Sequence, residues 1–174
     1  GPNALALADI VRSDLRVSTS GTRVAPGVPL TVQMRVRDVA GCGALAGAAV
    51  YVWHCDRDGE YSMYAEHLVK EDYLRGVQAT DATGLVAFTT IFPGCYAGRW
   101  PHLHFEVYPS LESAARGADR LATSQLALPA QTCKLIYATP GYEKSIPNFD
   151  RLTLESDNVF GDDGARLQMA TMKQ

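Results

Sequence analysis

The chain has 174 residues, is 47% hydrophobic and 20% charged, and carries a formal net charge of −3. That composition suits one compact domain over residues 1–174 with a sizeable core. It lacks the Lys/Arg stripe a nucleic-acid partner would need, and no apolar run of about 18 residues offers a membrane-spanning helix.

The opening Gly1-Pro2 resembles a protease-cleavage scar. On that reading any signal peptide or further domain has been cut away. Residues 1–20 read as an N-terminal arm, and Ala4 to Ser18 are weakly amphipathic, as a short helix or arm would be. Ala25 to Pro29 (APGVP) make a turn. Leu30 to Arg37 alternate, with Leu30, Val32, Met34 and Val36 on one face, the pattern of a half-buried strand. A glycine-rich connection, Gly41 to Gly47, leads to a second strand, Ala48 to His54, and a turn at Cys55 to Gly59. Glu60 to Asp72 is polar and irregular. Tyr73 to Thr80 and Leu85 to Ile91, joined by the turn Asp81 to Gly84, read as a hairpin. Beyond the central stretch, Ser110 to Asp119 is a loop or short helix, and Arg120 to Leu128 and Cys133 to Tyr137 are predicted strands. Thr139 to Phe149 carries two prolines and a glycine and reads as loop. Leu152 to Leu154 is one more candidate strand, and Ala165 to Met172 has the pattern to pair at an edge. Short strands, many turns and no long helical period predict an all-β sandwich of two mainly antiparallel sheets, its active site on loops and strand ends. No glycine-rich loop opens a helix and no GxSxG elbow is present, which disfavours nucleotide-binding and hydrolase folds.

The stretch Gly94 to Tyr108 (GCYAGRWPHLHFEVY) holds two of the four histidines, His102 and His104. In a strand, residues i and i+2 share a face, so both imidazoles point at one spot while Leu103 and Phe105 point to the core. Such a pair is either a metal-ligand pair or two ordinary histidines with satisfied hydrogen bonds. The cysteines, Cys42, Cys55, Cys95 and Cys133, contain no CxxC. They allow four reduced core thiols or any of three disulfide connectivities. Their even number and wide spacing favour two disulfides and an exported, extracellular protein.

At this point a family resemblance becomes specific. Arg12-Ser13-Asp14, then GAAVYVWHCDRDGEYS (Gly47 to Ser62), LRGVQATDATGLVAFTTIFPGCYAGRWPHLHFEV (Leu74 to Val107) and TSQL (Thr123 to Leu126) resemble the intradiol ring-cleaving dioxygenases. These are the catechol and protocatechuate 3,4-dioxygenase family, and the likeness is greatest to its single-domain, often exported, bacterial branch. The resemblance implies a non-haem Fe(III) held by Tyr61, Tyr96, His102 and His104. It implies Arg99 as a fixed cation beside the developing anion and Gln125 as a hydrogen-bonding neighbour of Arg99. The implied reaction takes a catechol and O2. Tyr61 is released to accept a substrate proton, O2 attacks the ring carbon, and oxygen insertion followed by hydrolysis gives a cis,cis-muconate. Iron stays ferric, so no reductant is required. The long N-terminal helical domain of the cytosolic catechol 1,2-dioxygenases has no counterpart here.

His54 matches no ligand of the family and reads as structural. Cys55 and Cys95 lie near the two tyrosines the resemblance implies as ligands, so Cys55–Cys95 with Cys42–Cys133 is one expected disulfide pairing, and Cys42 is equally a candidate partner for either of them. Two other readings remain open: a non-catalytic β-sandwich binding domain, and another His-based metalloenzyme that would want an acidic third ligand. Glu106, on the face of the two histidines, would supply that ligand.

Overall fold

The alternation in Leu30 to Arg37 becomes strand β1 (Pro29–Arg35), with Val32 turned inward and Thr31, Gln33 and Arg35 exposed. The computed structural model describes residues 3–173, so the Gly1-Pro2 reading lies outside the described residues. The further strands are β2 (Ala49–Trp53), β3 (Arg75–Ala79), β4 (Leu85–Ile91), β5 (His102–Tyr108) and β6 (Ala122–Ala127). Three short helices follow β5: α1 (Leu111–Arg116), α2 (Ala130–Tyr137) and α3 (Ser145–Phe149). β1 and β4 form one antiparallel sheet, and the other runs β3-β2-β5-β6, antiparallel throughout. The all-β sandwich expected from sequence is therefore what the chain forms.

The main core lies between the sheets. Val32, Phe88, Val50, Val52, Leu103 and Val107 meet there, and Phe92, Tyr137, Phe149 and Phe160 extend it. The opposite face of the larger sheet is covered at one end. Ala4, Leu5 and Ile10 of the arm and Ala114 of α1 pack on Ala49, Tyr51, Val77 and Tyr108. The arm is tied down rather than loose. Arg12 N donates to Val77 O (3.2 Å) and Leu15 N to Thr89 O (2.9 Å), and the Leu15 side chain is fully buried. Burying one leucine contributes about 1.5–3 kcal/mol. Asp72 closes the clamp, accepting from Thr19 N and Thr19 Oγ1 (both 2.7 Å), Ser18 Oγ (3.1 Å) and Ser20 N (3.1 Å). The other end of that face, where His102 and His104 sit, is left for loops to enclose.

Five expectations are corrected. β3 and β4 are not a hairpin: the turn is tight, with Gly84 N on Asp81 O (2.9 Å), but it carries the chain from one sheet to the other. A corner between sheets and a hairpin present the same turn residues. Cys133 to Tyr137 is helix α2, not a strand. Cys133 and Tyr137, four residues apart, are its buried face, and a short apolar run does not by itself separate strand from helix. Leu152 to Leu154 forms no strand, and Ser145 to Phe149, expected as loop, is helix α3, whereas Met169 does bridge to Ala127 at the sheet edge. The four cysteines are free thiols. Cys42 is exposed while Cys133 is fully buried. Cys55 Sγ turns to Gly94 O (3.5 Å) and Cys95 Sγ to Arg99 O (3.7 Å).

Candidate metal centre

Two glycines bring two loops together. The Cys55–Tyr61 loop leaves β2 and folds around Asp56, whose Oδ1 accepts from Asp58 N (2.9 Å) and Glu60 N (3.0 Å). Gly59 sits there at φ +83, and a Cβ on it would stand 3.1 Å from Tyr96 Cβ. The Phe92–Pro101 loop leaves β4, and Gly94 N donates to Asp56 O (2.9 Å). A Cβ on Gly94 would lie 2.4 Å from Arg57 O. Side chains larger than hydrogen at these points would hold the loops apart. As built, they present Tyr61 and Tyr96 to the start of β5.

The strand supplies the rest. In β5, His102 and His104 share the face opposite Leu103 and Phe105, and the register sets Trp53 and Gln125 on either side of His104. A slip of one residue would turn both imidazoles into the core. The indole of Trp53 stacks on the His104 ring, with centroids 4.6 Å apart and planes 7° from parallel.

The four side chains close a ring. Tyr61 Oη is 3.4 Å from Tyr96 Oη, Tyr96 Oη is 3.3 Å from His102 Nε2, His102 Nε2 is 3.0 Å from His104 Nε2, and His104 Nε2 is 3.2 Å from Tyr61 Oη. A first-row ion bonded at about 2.1 Å spaces its donors by about 3.0 Å at right angles and about 3.4 Å at the tetrahedral angle. The four edges lie in that interval, so the residues fit a metal ion. His102 Nδ1–H donates to Trp100 O (2.5 Å), which fixes the tautomer and leaves the Nε2 lone pair facing the ring centre. Burial holds His102 down at about 4, and burial with the His102 and Arg99 neighbours holds His104 at about 3, so both imidazoles are neutral donors at pH 7. Burial pushes both phenols up. Only a cation at the ring centre would reverse that and favour the phenolates. Two phenolates and two imidazoles suit a hard, strongly Lewis-acidic ion such as Fe(III).

Arg99 and Gln125 also meet at the site. Arg99 Nη2 donates to Gln125 Oε1 (2.5 Å), and Arg99 Nε donates to the fully buried carboxylate of Asp157 (3.0 Å). Sequence reading did not single out Asp157, Phe160 or Trp53. Phe160 packs edge-on against His102, with centroids 6.2 Å apart. The only available signal was for Trp53, which precedes His54 in a strand and so points away from it. Asp157 and Phe160 sit in an irregular tail with no periodic pattern. His54 is structural, as read: its Nδ1–H donates to Cys55 O and its Nε2 accepts from Thr90 Oγ1, both at 2.7 Å. Glu106 is not a third metal ligand, because its oxygens are held by Arg120 Nη1 and Tyr108 Oη, both at 2.6 Å. Among the described residues no group of three His, Cys, Asp or Glu side chains could hold a metal.

Comparison with known proteins identifies the family. Residues 1–111 match the family described as Dioxygenase (Dioxygenase_C). The structure is similar to an intradiol ring-cleavage dioxygenase from Tetranychus urticae, with 26% identity and a TM-score of 0.74 over 95% of this chain and 80% of that one. It is similar to the dioxygenase domain of a dioxygenase–carbohydrate-binding protein fusion from the cellulolytic bacterium Streptomyces sp. SirexAA-E, at 27% identity and a TM-score of 0.60. That match covers 94% of this chain and 79% of that one. Catechol 1,2-dioxygenase from Pseudomonas arvilla C-1 is 25% identical, with a TM-score of 0.50 over 68% of this chain and 40% of that one. On the family match over 111 of its 174 residues, with the fold to go with it, the chain belongs to the intradiol ring-cleavage dioxygenases.

Proposed function

We propose that the chain is an Fe(III)-dependent intradiol dioxygenase that cleaves catechols with O2 to cis,cis-muconate-type products. The observation that carries the reading is the closed ring of Tyr61, Tyr96, His102 and His104, with donor atoms 3.0 to 3.4 Å apart. Bound iron would supply the Lewis acidity that ionises the phenols and activates a chelated catecholate towards O2.

The protein's own residues divide the remaining work. Tyr61, on the Cys55–Tyr61 loop, would help hold the iron, and its Oη would accept a substrate proton. Tyr96, His102 and His104 would hold the iron with it. His102 is held by Trp100 O, and His104 is backed by the Trp53 ring. Arg99 offers a fixed cation to charge developing on the substrate, worth most in a site from which water is largely excluded. Gln125 keeps one guanidinium nitrogen engaged and so limits the poses Arg99 adopts.

The test is native iron content, the visible spectrum and O2 uptake with catechol. The expected result is about one ferric ion per chain, a visible band that shifts on adding catechol, and O2 consumption without added reductant. A colourless protein carrying stoichiometric zinc, or an iron-loaded one that consumes no O2 with any catechol tried, would overturn the reading.

A further inference from the structure

We propose that Asp157 is a positioning residue for this reaction: it holds Arg99 in one orientation, with a single guanidinium nitrogen left for the substrate. The inference rests on the intradiol reading above. Asp157 Oδ2 accepts from Arg99 Nε (3.0 Å) and from Trp100 N (2.7 Å), while Oδ1 accepts from Val159 N (2.8 Å) and Phe160 N (3.1 Å). The carboxylate has no solvent exposure. Its partner across the site is Gln125, which takes Nη2 of the same guanidinium at 2.5 Å, with Asp157 Oδ1 a further 3.5 Å contact. Phe160 lies against the guanidinium, its ring centroid 6.0 Å from Cζ.

These contacts use the guanidinium in order. Nε–H goes to Asp157 and Nη2 to Gln125. Among the described residues Nη1 has no hydrogen-bond partner, and the side chain keeps 17% exposure. A planar fork held at two of its three nitrogens has no freedom left to turn the third. Without Asp157 the Nε–H is unpaired and the fork rotates about its bond to Gln125. Asparagine is no substitute. Each carboxylate oxygen already faces two N–H donors, so an amide nitrogen on either side would meet donors.

Three measurements test this on the full chain. The first is a double-mutant cycle scored as kcat per bound iron. Asp157→Ala is expected to lower kcat by about 10–10²-fold, the scale of a misplaced catalytic group, with KM little changed, and to do almost nothing further in an Arg99→Ala background. Equal fold losses in both backgrounds, or no loss in either, would overturn the proposal. The second keeps Asp157 intact, in case its removal prevents folding. Arg99→Lys retains the charge but not the fork, and is expected to lose nearly as much kcat as Arg99→Ala. If it kept more than about a third of the wild-type rate, orientation would not be what matters. The third needs no turnover. With diamagnetic Ga(III) added in place of Fe(III), the Arg99 Nε–H resonance, assigned by its absence in Arg99→Lys, is expected to exchange slowly in wild type and to be lost in Asp157→Ala. An unchanged resonance would refute the contact. A pinned resonance in a wild-type protein that consumes no O2 would instead refute the intradiol reading alone.

Discussion

Gly94→Ala is the sharpest probe of how the candidate metal site is assembled. The added Cβ would stand 2.4 Å from Arg57 O, 2.8 Å from Arg57 C and 2.9 Å from Asp56 O, all backbone atoms with no side-chain rotation to relieve them. Reaching ordinary contact at 3.4 Å needs the two loops to part by 3.4 − 2.4 = 1.0 Å. That movement strains the Gly94 N to Asp56 O hydrogen bond (2.9 Å), worth about 1 kcal/mol. Overpacking of this kind adds about 1–3 kcal/mol, for a total of roughly 2–4 kcal/mol. At about 2–4 °C per kcal/mol for a chain of this size, Tm should fall by roughly 5–15 °C. The same displacement separates Tyr61 from Tyr96, now 3.4 Å apart at their hydroxyls, so iron content should fall well below that of the wild type. Gly47→Ala is the control. It carries a left-handed φ of +77 but has nothing within 4 Å of its Cβ, so it should cost about 1–2 kcal/mol and leave iron untouched. The assay is thermal unfolding with iron per chain for both variants. If Gly94→Ala matched Gly47→Ala in Tm and kept full iron, loop approach through Gly94 would not be what builds the site.

Three further outcomes follow from other contacts. His102→Ala or His104→Ala should abolish iron retention, because each removes a neutral donor without supplying another, whereas Tyr61→Phe should keep more iron with a changed colour and a lower rate. Elemental analysis and the visible spectrum check this, and a Tyr61→Phe protein identical to wild type in colour and rate would refute the role given to Tyr61. Arg99→Ala should keep its iron while kcat drops about 10²–10³-fold; loss of the iron would show that Arg99 acts on the metal site itself. Burial raises the Asp72 carboxyl, but hydrogen bonds from Thr19 and Ser20 and the charge of Arg12 outweigh it, leaving the group below its ordinary 3.8. A depressed folded value means the clamp stabilises the protein above about pH 4 and loses that contribution as pH falls further. Tm measured down to about pH 2 should therefore fall less steeply for Asp72→Asn than for wild type, and parallel slopes would count against the clamp.

Legibility in the sequence followed the strength of the physical constraint. β1 and β5 were readable because residue type alternates with a period of two, and Leu103 does point to the core while His102 and His104 point away. The His102 and His104 pair was readable from the strand period, whereas Tyr61 and Tyr96 were recognisable only through the motifs the chain shares with the family. Long-range pairing was not readable. Nothing local told the Asp81 to Gly84 turn to deliver β4 to β1 rather than back to β3. The run Cys133 to Tyr137 is too short for period to decide, and packing of Cys133 and Tyr137 into the core selects the helix. Proximity misled for the cysteines. Cys55 and Cys95 do lie near the tyrosine loops, but each thiol points at a carbonyl rather than at the other.

The division between the recognisable and the unrecognisable residues has a cause. All four ring residues and Arg99 fall within residues 1–111, which match the family, and Gln125, also expected from the resemblance, lies a short way beyond, while Asp157 and Phe160 belong to the irregular tail. A metal ligand is constrained in type, direction and distance at once, so its neighbourhood carries a pattern. A residue that orients a guanidinium needs only a buried carboxylate at the right place, and any segment that reaches the site can deliver one. Here the tail does so by organising itself first. Asp157 Oδ1 caps Val159 N and Phe160 N, and Gly161 N returns to Asp157 O (2.9 Å). That local turn fixes the carboxylate and sets Phe160 against His102. The second oxygen is then aimed at Arg99 and Trp100 without help from the sheet, which is why no strand or helix signal announced it.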